Sequence, residues 1–186
     1  MKRRGRALPV SVTSVVLPLL AWGGLTACSS DPPPRPAAIN EIKPCDFFTK
    51  GERKDYKLQE GKPINSSPAM CLWEGTKFFE GGITALTLTL WNRPADAELK
   101  LLGSFSGERF GERPAVNGRR IWRIVTPSSE VKCTLLFAID AKSSAELELS
   151  EFLGGLSGGK PTQAELCKGL DELTPRVERK LPAVHA

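Results

Sequence analysis

The chain has 186 residues, with 26 Lys plus Arg, 21 Asp plus Glu, five Cys and one His, for a formal net charge of +5. Its single His185 stands at the next-to-last position, which excludes a Ser-His-Asp triad, a Cys-His nucleophile pair and a His-rich zinc site from any folded core. With 40% hydrophobic residues the chain can build a core, and its length suits one domain.

Residues 1–27 read as a secretory signal peptide. Lys2, Arg3, Arg4 and Arg6 make a basic start, and an apolar stretch runs from Ala7 to Leu20. Pro9 and Pro18 interrupt that stretch, and it falls short of the ~20 apolar residues that a membrane-spanning helix needs. The signal ends in Leu25-Thr26-Ala27-Cys28, which resembles the bacterial lipobox: an aliphatic residue, two small residues and a Cys. Such a signal implies a diacylglycerol thioether on Cys28, cleavage just before it, and acylation of the new amino terminus by a fatty acid such as palmitate. Two or three acyl chains, at ~0.8 kcal/mol per buried methylene, hold a protein stably on a membrane. Removal of residues 1–27 leaves 22 basic against 21 acidic side chains, so the expected mature chain is almost neutral. Nucleic-acid binding through a basic field loses its support.

Residues 28–43 then form the lipidated N-terminus and a tether, in which Pro32, Pro33, Pro34 and Pro36 enforce extended geometry. Residues 44–186 are the expected globular domain. It holds Cys45, Cys71, Cys133 and Cys167, an even number after an export signal, which reads as two disulfides. The wide spacing leaves no Cys-x-x-Cys redox or zinc-ribbon pattern. Four cysteines allow three connectivities, and spacing does not choose among them. Pairing Cys45 with Cys71 and Cys133 with Cys167 ties each terminal segment to a predicted strand.

Within the domain, Thr49 and Glu52 have capping-box spacing for a short helix over about 50–58, with Phe47 and Phe48 packing just before it. Gly61 to Pro68 reads as a loop rich in turn formers. Cys71 to Glu74 opens a strand. From Ile83 to Trp91, Leu86, Leu88 and Leu90 alternate with Thr87, Thr89 and Trp91, the pattern of an antiparallel strand with one wet face. Pro94 to Leu102 reads as a helix with Pro in its first turn, and Gly103 to Pro114 as a mobile polar loop. Asn117-Gly118 signals a turn before a strand at 119–125. Val131, Cys133, Leu135, Phe137 and Ile139 share one face of the strongest strand. A turn at 140–144 leads to another, where Leu147 and Leu149 point in and Glu146 and Glu148 point out. Thr162 and Glu165 repeat the capping box. Leu166, Leu170, Leu173, Val177 and Leu181 then form one helical stripe, with Pro175 expected to kink or restart the helix and Thr174 to cap the new turn. The sum is a single α+β domain, an antiparallel sheet of five or six strands with N- and C-terminal helices packed on it.

The order of these features resembles the actinobacterial cell-envelope lipoproteins grouped as domain of unknown function 3558. It is carried by the lipobox, the Pro-rich tether, Pro44-Cys45 before a short helix, Cys71-x-Trp73 opening a strand, Cys133 in a late strand, and Cys167 in a last helix ending at Leu181-Pro182. The resemblance covers essentially the whole mature chain. It implies a Mog1/PsbP-like α+β fold, a lipid-anchored place on the outer face of the cell membrane, and an envelope or secretion-system protein as partner. It implies no activity.

Other constellations point less far. Gly154, Gly159 and Lys160 fit a phosphate-binding loop, but Pro161 occupies the position where Ser or Thr must hold magnesium, so no nucleotide is expected. Glu146 and Glu148 are paired carboxylates on one strand face, the arrangement a hydrolase would use; one in a cleft with a raised pKa is what that reading requires. Trp73, Trp91 and Trp122 are the aromatic side chains for a ligand groove. Arg109, Arg113, Arg119 and Arg120 form the local basic cluster for an acidic partner or lipid headgroups. No metal or cofactor is expected. The function these residues predict is a non-enzymatic binding or accessory module, with a carrier of an apolar or lipid-like ligand as the alternative and a hydrolase behind it.

Overall fold

The computed structural model describes residues 38–75, 83–106, 109–125, 131–153 and 160–184. The signal peptide, Cys28 and the four prolines of the tether lie outside these residues.

The described chain is α+β. One antiparallel sheet holds seven strands in the order β1-β2-β3-β7-β6-β5-β4. They are β1 (Lys62–Ser66), β2 (Ala69–Glu74), β3 (Ile83–Trp91), β4 (Arg109–Val116), β5 (Arg119–Val125), β6 (Lys132–Asp140) and β7 (Ser143–Leu153). The helices are α1 (Lys50–Asp55), α2 (Ala95–Ser106) and α3 (Gln163–Lys180). Seven strands replace the expected five or six. The five inner strands are those the alternation predicts, and the two additions, β1 and β4, are the edges. Every residue of β1 is exposed, so it carries no buried face to alternate with. Pro63 and Pro114 sit in these two strands, where an edge tolerates a missing N–H. The expected polar loop at 103–114 is instead the last turn of α2 followed by β4.

Alternation divides the sheet into two faces. On one, Trp73, Leu86, Leu88, Leu147, Leu149, Leu135 and Phe137 meet Leu166, Leu170, Leu173 and Val177 of α3, all at most 1% exposed. Each such side chain contributes about 1.5–3 kcal/mol by leaving water. The stripe predicted for the last helix is therefore the main core contact. Thr162 caps α3 through the reciprocal bonds of a capping box with Glu165, as Thr49 and Glu52 do for α1. Pro175 does not restart α3. The helix runs on through it, and Thr174 donates its hydroxyl to the Leu170 carbonyl one turn back rather than capping a new helix.

The N-terminal helix does not pack on the sheet as expected. At six residues α1 has no buried side chain, and the cover at that end comes from residues flanking it: Phe47 and Phe48 before, Tyr56 and Leu58 after. Phe48 meets Trp73 edge-on at 5.1 Å. Lys180 at the end of α3 ties this segment down by donating to the Phe47 carbonyl and pairing with Glu52. The folded part also begins before Pro44, because Ile39, in a 3-10 turn at Ile39–Glu41, is already buried in the main core.

Two disulfides staple both terminal segments. Cys45 in the 3-10 turn Pro44–Asp46 bridges to Cys71 of β2, and Cys133 of β6 bridges to Cys167 of α3, each with S–S 2.02 Å. The pairing is the one that ties each terminal segment to a strand. No helix among the described residues is long and apolar enough to cross a membrane.

Candidate functional site

The second face of the sheet is half polar, and α2 lies over part of it. Ala95 of α2 joins Trp122, Ile124 and Leu136 in a small core separate from the main one, with Leu99, Leu102 and Ala138 packed against it. Beside this core the strands place Thr89, Glu146, Leu136 and Trp122 in one row across β3, β7, β6 and β5. The next row holds Thr87, Glu148, Thr134 and Ile124.

This register builds a cluster of three carboxylates. Trp91 donates its indole N–H to Glu146 Oε2 at 3.1 Å. Glu148 accepts from the Thr134 hydroxyl at 3.2 Å and pairs with Lys132 Nζ at 3.2 Å. Glu98, 2% exposed on the underside of α2, pairs with Arg93 Nη1 at 3.2 Å. The Arg93 guanidinium also lies 5.1 Å from the centre of the Trp91 ring, a cation-π contact, and Ser144 donates to the Arg93 carbonyl at 2.8 Å. Arg93 thus fixes the short link between β3 and α2 from both sides.

Burial sets the electrostatics. It pushes Glu146 up to about 7, with the neighbouring charge of Glu148 adding to the effect and the Trp91 hydrogen bond partly opposing it. Glu98 is raised as well, by burial, against the opposing charge of Arg93. A carboxyl with a raised folded pKa binds its proton more tightly folded than unfolded. Its contribution is therefore full below the unfolded value near 4.5 and is lost as pH rises to about 7.

The sequence identifies Glu146 and Glu148 but not Glu98 or Arg93. The available signal is positional: Ala95, Glu98, Leu99 and Leu102 share one helical stripe, and a carboxylate in an apolar stripe must be buried against something.

The remaining predicted residues are distributed differently. Trp73, Trp91 and Trp122 do not line one groove. Trp73 is fully buried on the α3 face, while Trp91 and Trp122 point to the α2 face, because strand alternation puts Trp73 in register with Leu86 and Trp91 in step with Thr89. Trp122 is itself roofed by Arg120, whose guanidinium lies 4.5 Å from the ring centre. The arginine cluster also disperses. Arg119 is completely buried beside Glu178, Arg113 pairs with Asp171 of α3, and Arg120 pairs with Glu112 and Asp96. Adjacent residues of a strand face opposite sides, so sequence proximity gave no shared basic patch. The side chain of Arg109, and the glycines Gly154 and Gly159, lie outside the described residues. Lys160 is exposed and Pro161 buried.

Two open grooves accompany the disulfides. One, of about 330 Å³, runs between the Cys45 turn and β1–β2, with Ile42, Pro44, Pro63 and Met70 among its walls. The other, of about 360 Å³, lies between β5 and α3, bounded by Arg123, Gln163, Cys167, Lys168 and Asp171. Asp171 there holds Arg123 through both carboxylate oxygens at 2.8 Å. Among the described residues no group of three His, Cys, Asp or Glu side chains is arranged to hold a metal ion. No protein-family model, curated protein or solved structure matches the chain.

Proposed function

We propose that the chain is an exported lipoprotein, anchored to the outer face of the cell membrane through Cys28, whose disulfide-stapled domain works as a non-enzymatic binding or accessory module. The observation that carries this reading is the pair of bridges, each fastening one terminal segment to the sheet, which suits an oxidising compartment outside the cytoplasm. The lipobox-like end of the signal supplies the anchor, and a Mog1/PsbP-like arrangement of sheet and helices belongs to the same proposal. The grooves beside Cys45 and Cys167 are open to solvent, in keeping with a surface that docks a protein partner. The carrier alternative needs volume between the sheet and α3, and fully buried leucines occupy that layer.

A photo-crosslinking residue placed at Asn65 or Lys168, in the grooves, should capture a reproducible envelope protein in intact cells. The same residue at exposed Lys100 on α2 should not. Equal capture from all three positions, or none from either groove, contradicts the binding role.

One observation favours a second reading. Burial pushes Glu146 up to about 7, and Glu148 beside it pairs with Lys132, a setting in which a hydrolase could keep Glu146 as its acid. In that case Glu146→Gln abolishes turnover of a glycan or ester substrate while leaving groove-directed capture intact.

A further inference from the structure

We propose that the seat of α2 on the sheet is a proton-operated joint: Glu98, Glu146 and Glu148 crowd one side of the sheet, and α2 is held closed while this cluster keeps one proton and loosens when it gives that proton up. This goes beyond the binding role and does not depend on it.

The geometry supplies the parts. Three carboxylates meet two cations. Lys132 stands against Glu148 and Arg93 against Glu98, each at 3.2 Å, while Glu146 receives the uncharged indole N–H of Trp91. The elements around Glu146 contribute Trp91 and Thr89 from β3, Arg93 from the link into α2, Glu98 from α2, Glu148 from β7, and Lys132 and Thr134 from β6. On β5 the next residue in the row is Trp122, whose covering Arg120 is engaged by Glu112 and Asp96. With one proton in the cluster, two negative charges face two positive ones. With none, a third negative charge stands half-buried among the others, close to the helix that carries Glu98 on its underside.

The helix is also the element that can respond. Among the described residues the core beneath it holds four buried side chains, Ala95, Trp122, Ile124 and Leu136, whereas the main core on the other face holds 24. Elements with few buried apolar contacts open first, well below the free energy of global unfolding. The charge change is therefore applied at a helix that its apolar contacts secure far less than those of α3. The elevated proton affinity of Glu146, to about 7, places the transition near neutral pH.

Hydrogen exchange of the full chain at pH 5.5 and pH 8, corrected for the intrinsic pH dependence of exchange, tests the joint, with the α3 amides as internal reference. A fall in proton affinity of Glu146 from about 7 to its ordinary 4.5 on opening should raise the open fraction of α2 between these pH values by roughly tenfold to 30-fold, while α3 stays within about twofold. Glu146→Gln, which keeps the neutral shape, should remove that rise. Trp91→Phe removes a hydrogen bond that favours the ionised carboxylate and should move the midpoint to higher pH. The joint is overturned if α2 exchange is unchanged between pH 5.5 and 8. It is equally overturned if Glu146→Gln retains the rise, or if α3 follows α2. Should Glu146→Gln not fold, the wild-type profile together with the direction of the Trp91→Phe shift decides: no shift, or a shift downward, overturns it.

Discussion

Arg119→Ala should destabilise the domain by about 3–5 kcal/mol, one of the largest effects available from one substitution in this chain. Arg119 and Glu178 are both completely buried, with Nε 3.6 Å from the carboxylate. The guanidinium also donates to the Ala138 carbonyl at 2.6 Å and to the Pro182 carbonyl, and Asn117 donates to Glu178 from the other side. Asn117 and Gly118, at φ 52° and 78°, form the tight turn between β4 and β5. One ion pair thereby joins that hairpin, β6 and the end of α3. Removing only the cation leaves a carboxylate buried among groups arranged around a charge that is gone. Replacing both partners, as in Arg119→Met with Glu178→Leu, removes the stranded charge and should cost clearly less than Arg119→Ala alone. Urea denaturation of the three proteins measures this. A loss below about 1 kcal/mol for Arg119→Ala, or a double variant worse than the single one, contradicts the assignment.

Cys133→Ala together with Cys167→Ala should cost roughly 3.5–4 kcal/mol, from the chain entropy that a 34-residue closure removes from the unfolded state. The bridge between Cys45 and Cys71 closes 26 residues, for a similar loop term of about 3.5 kcal/mol. The bridges differ in what they hold. Cys133 is central in the sheet, and α3 already packs on it through four leucine and valine side chains, so α3 should remain docked once the bridge is gone. The N-terminal segment has a six-residue helix with no buried side chain and should fray first when Cys45 is released. Denaturation midpoints of the two double variants, with proteolysis near the N-terminus as a second readout, separate these effects. Equal midpoints with no difference in N-terminal cleavage would contradict the unequal roles.

What the sequence reveals follows what burial writes into it. The five inner strands are legible because each alternates against a core, as in Leu86-Leu88-Leu90 or Cys133-Leu135-Phe137. The edge strands are not, because β1 is exposed throughout and both edges carry a proline. The helix ends marked by Thr49 and Thr162 are legible because a capping box is a local bond pattern. Pro175 misleads, since a proline breaks an isolated helix more readily than one whose Leu173 and Val177 are locked into a core. For the candidate site, Glu146 and Glu148 stand out as a pair, but their setting depends on strand order. Only β7 lying between β3 and β6 brings Trp91 and Lys132 to them. The same long-range pairing sends Trp73 to the opposite face from Trp91 and disperses the arginines, which no count along the chain reveals.

The intact mass of the protein isolated from its own cells, with and without reductant and alkylation, tests the central claim most directly. The lipoprotein reading predicts a chain beginning at Cys28, heavier by a diacylglyceryl group and an N-acyl chain, lighter by the four hydrogens of two disulfides, and alkylated at four further cysteines only after reduction. A chain that retains residues 1–27 without lipid, or one in which Cys45, Cys71, Cys133 or Cys167 alkylates without reductant, would contradict it.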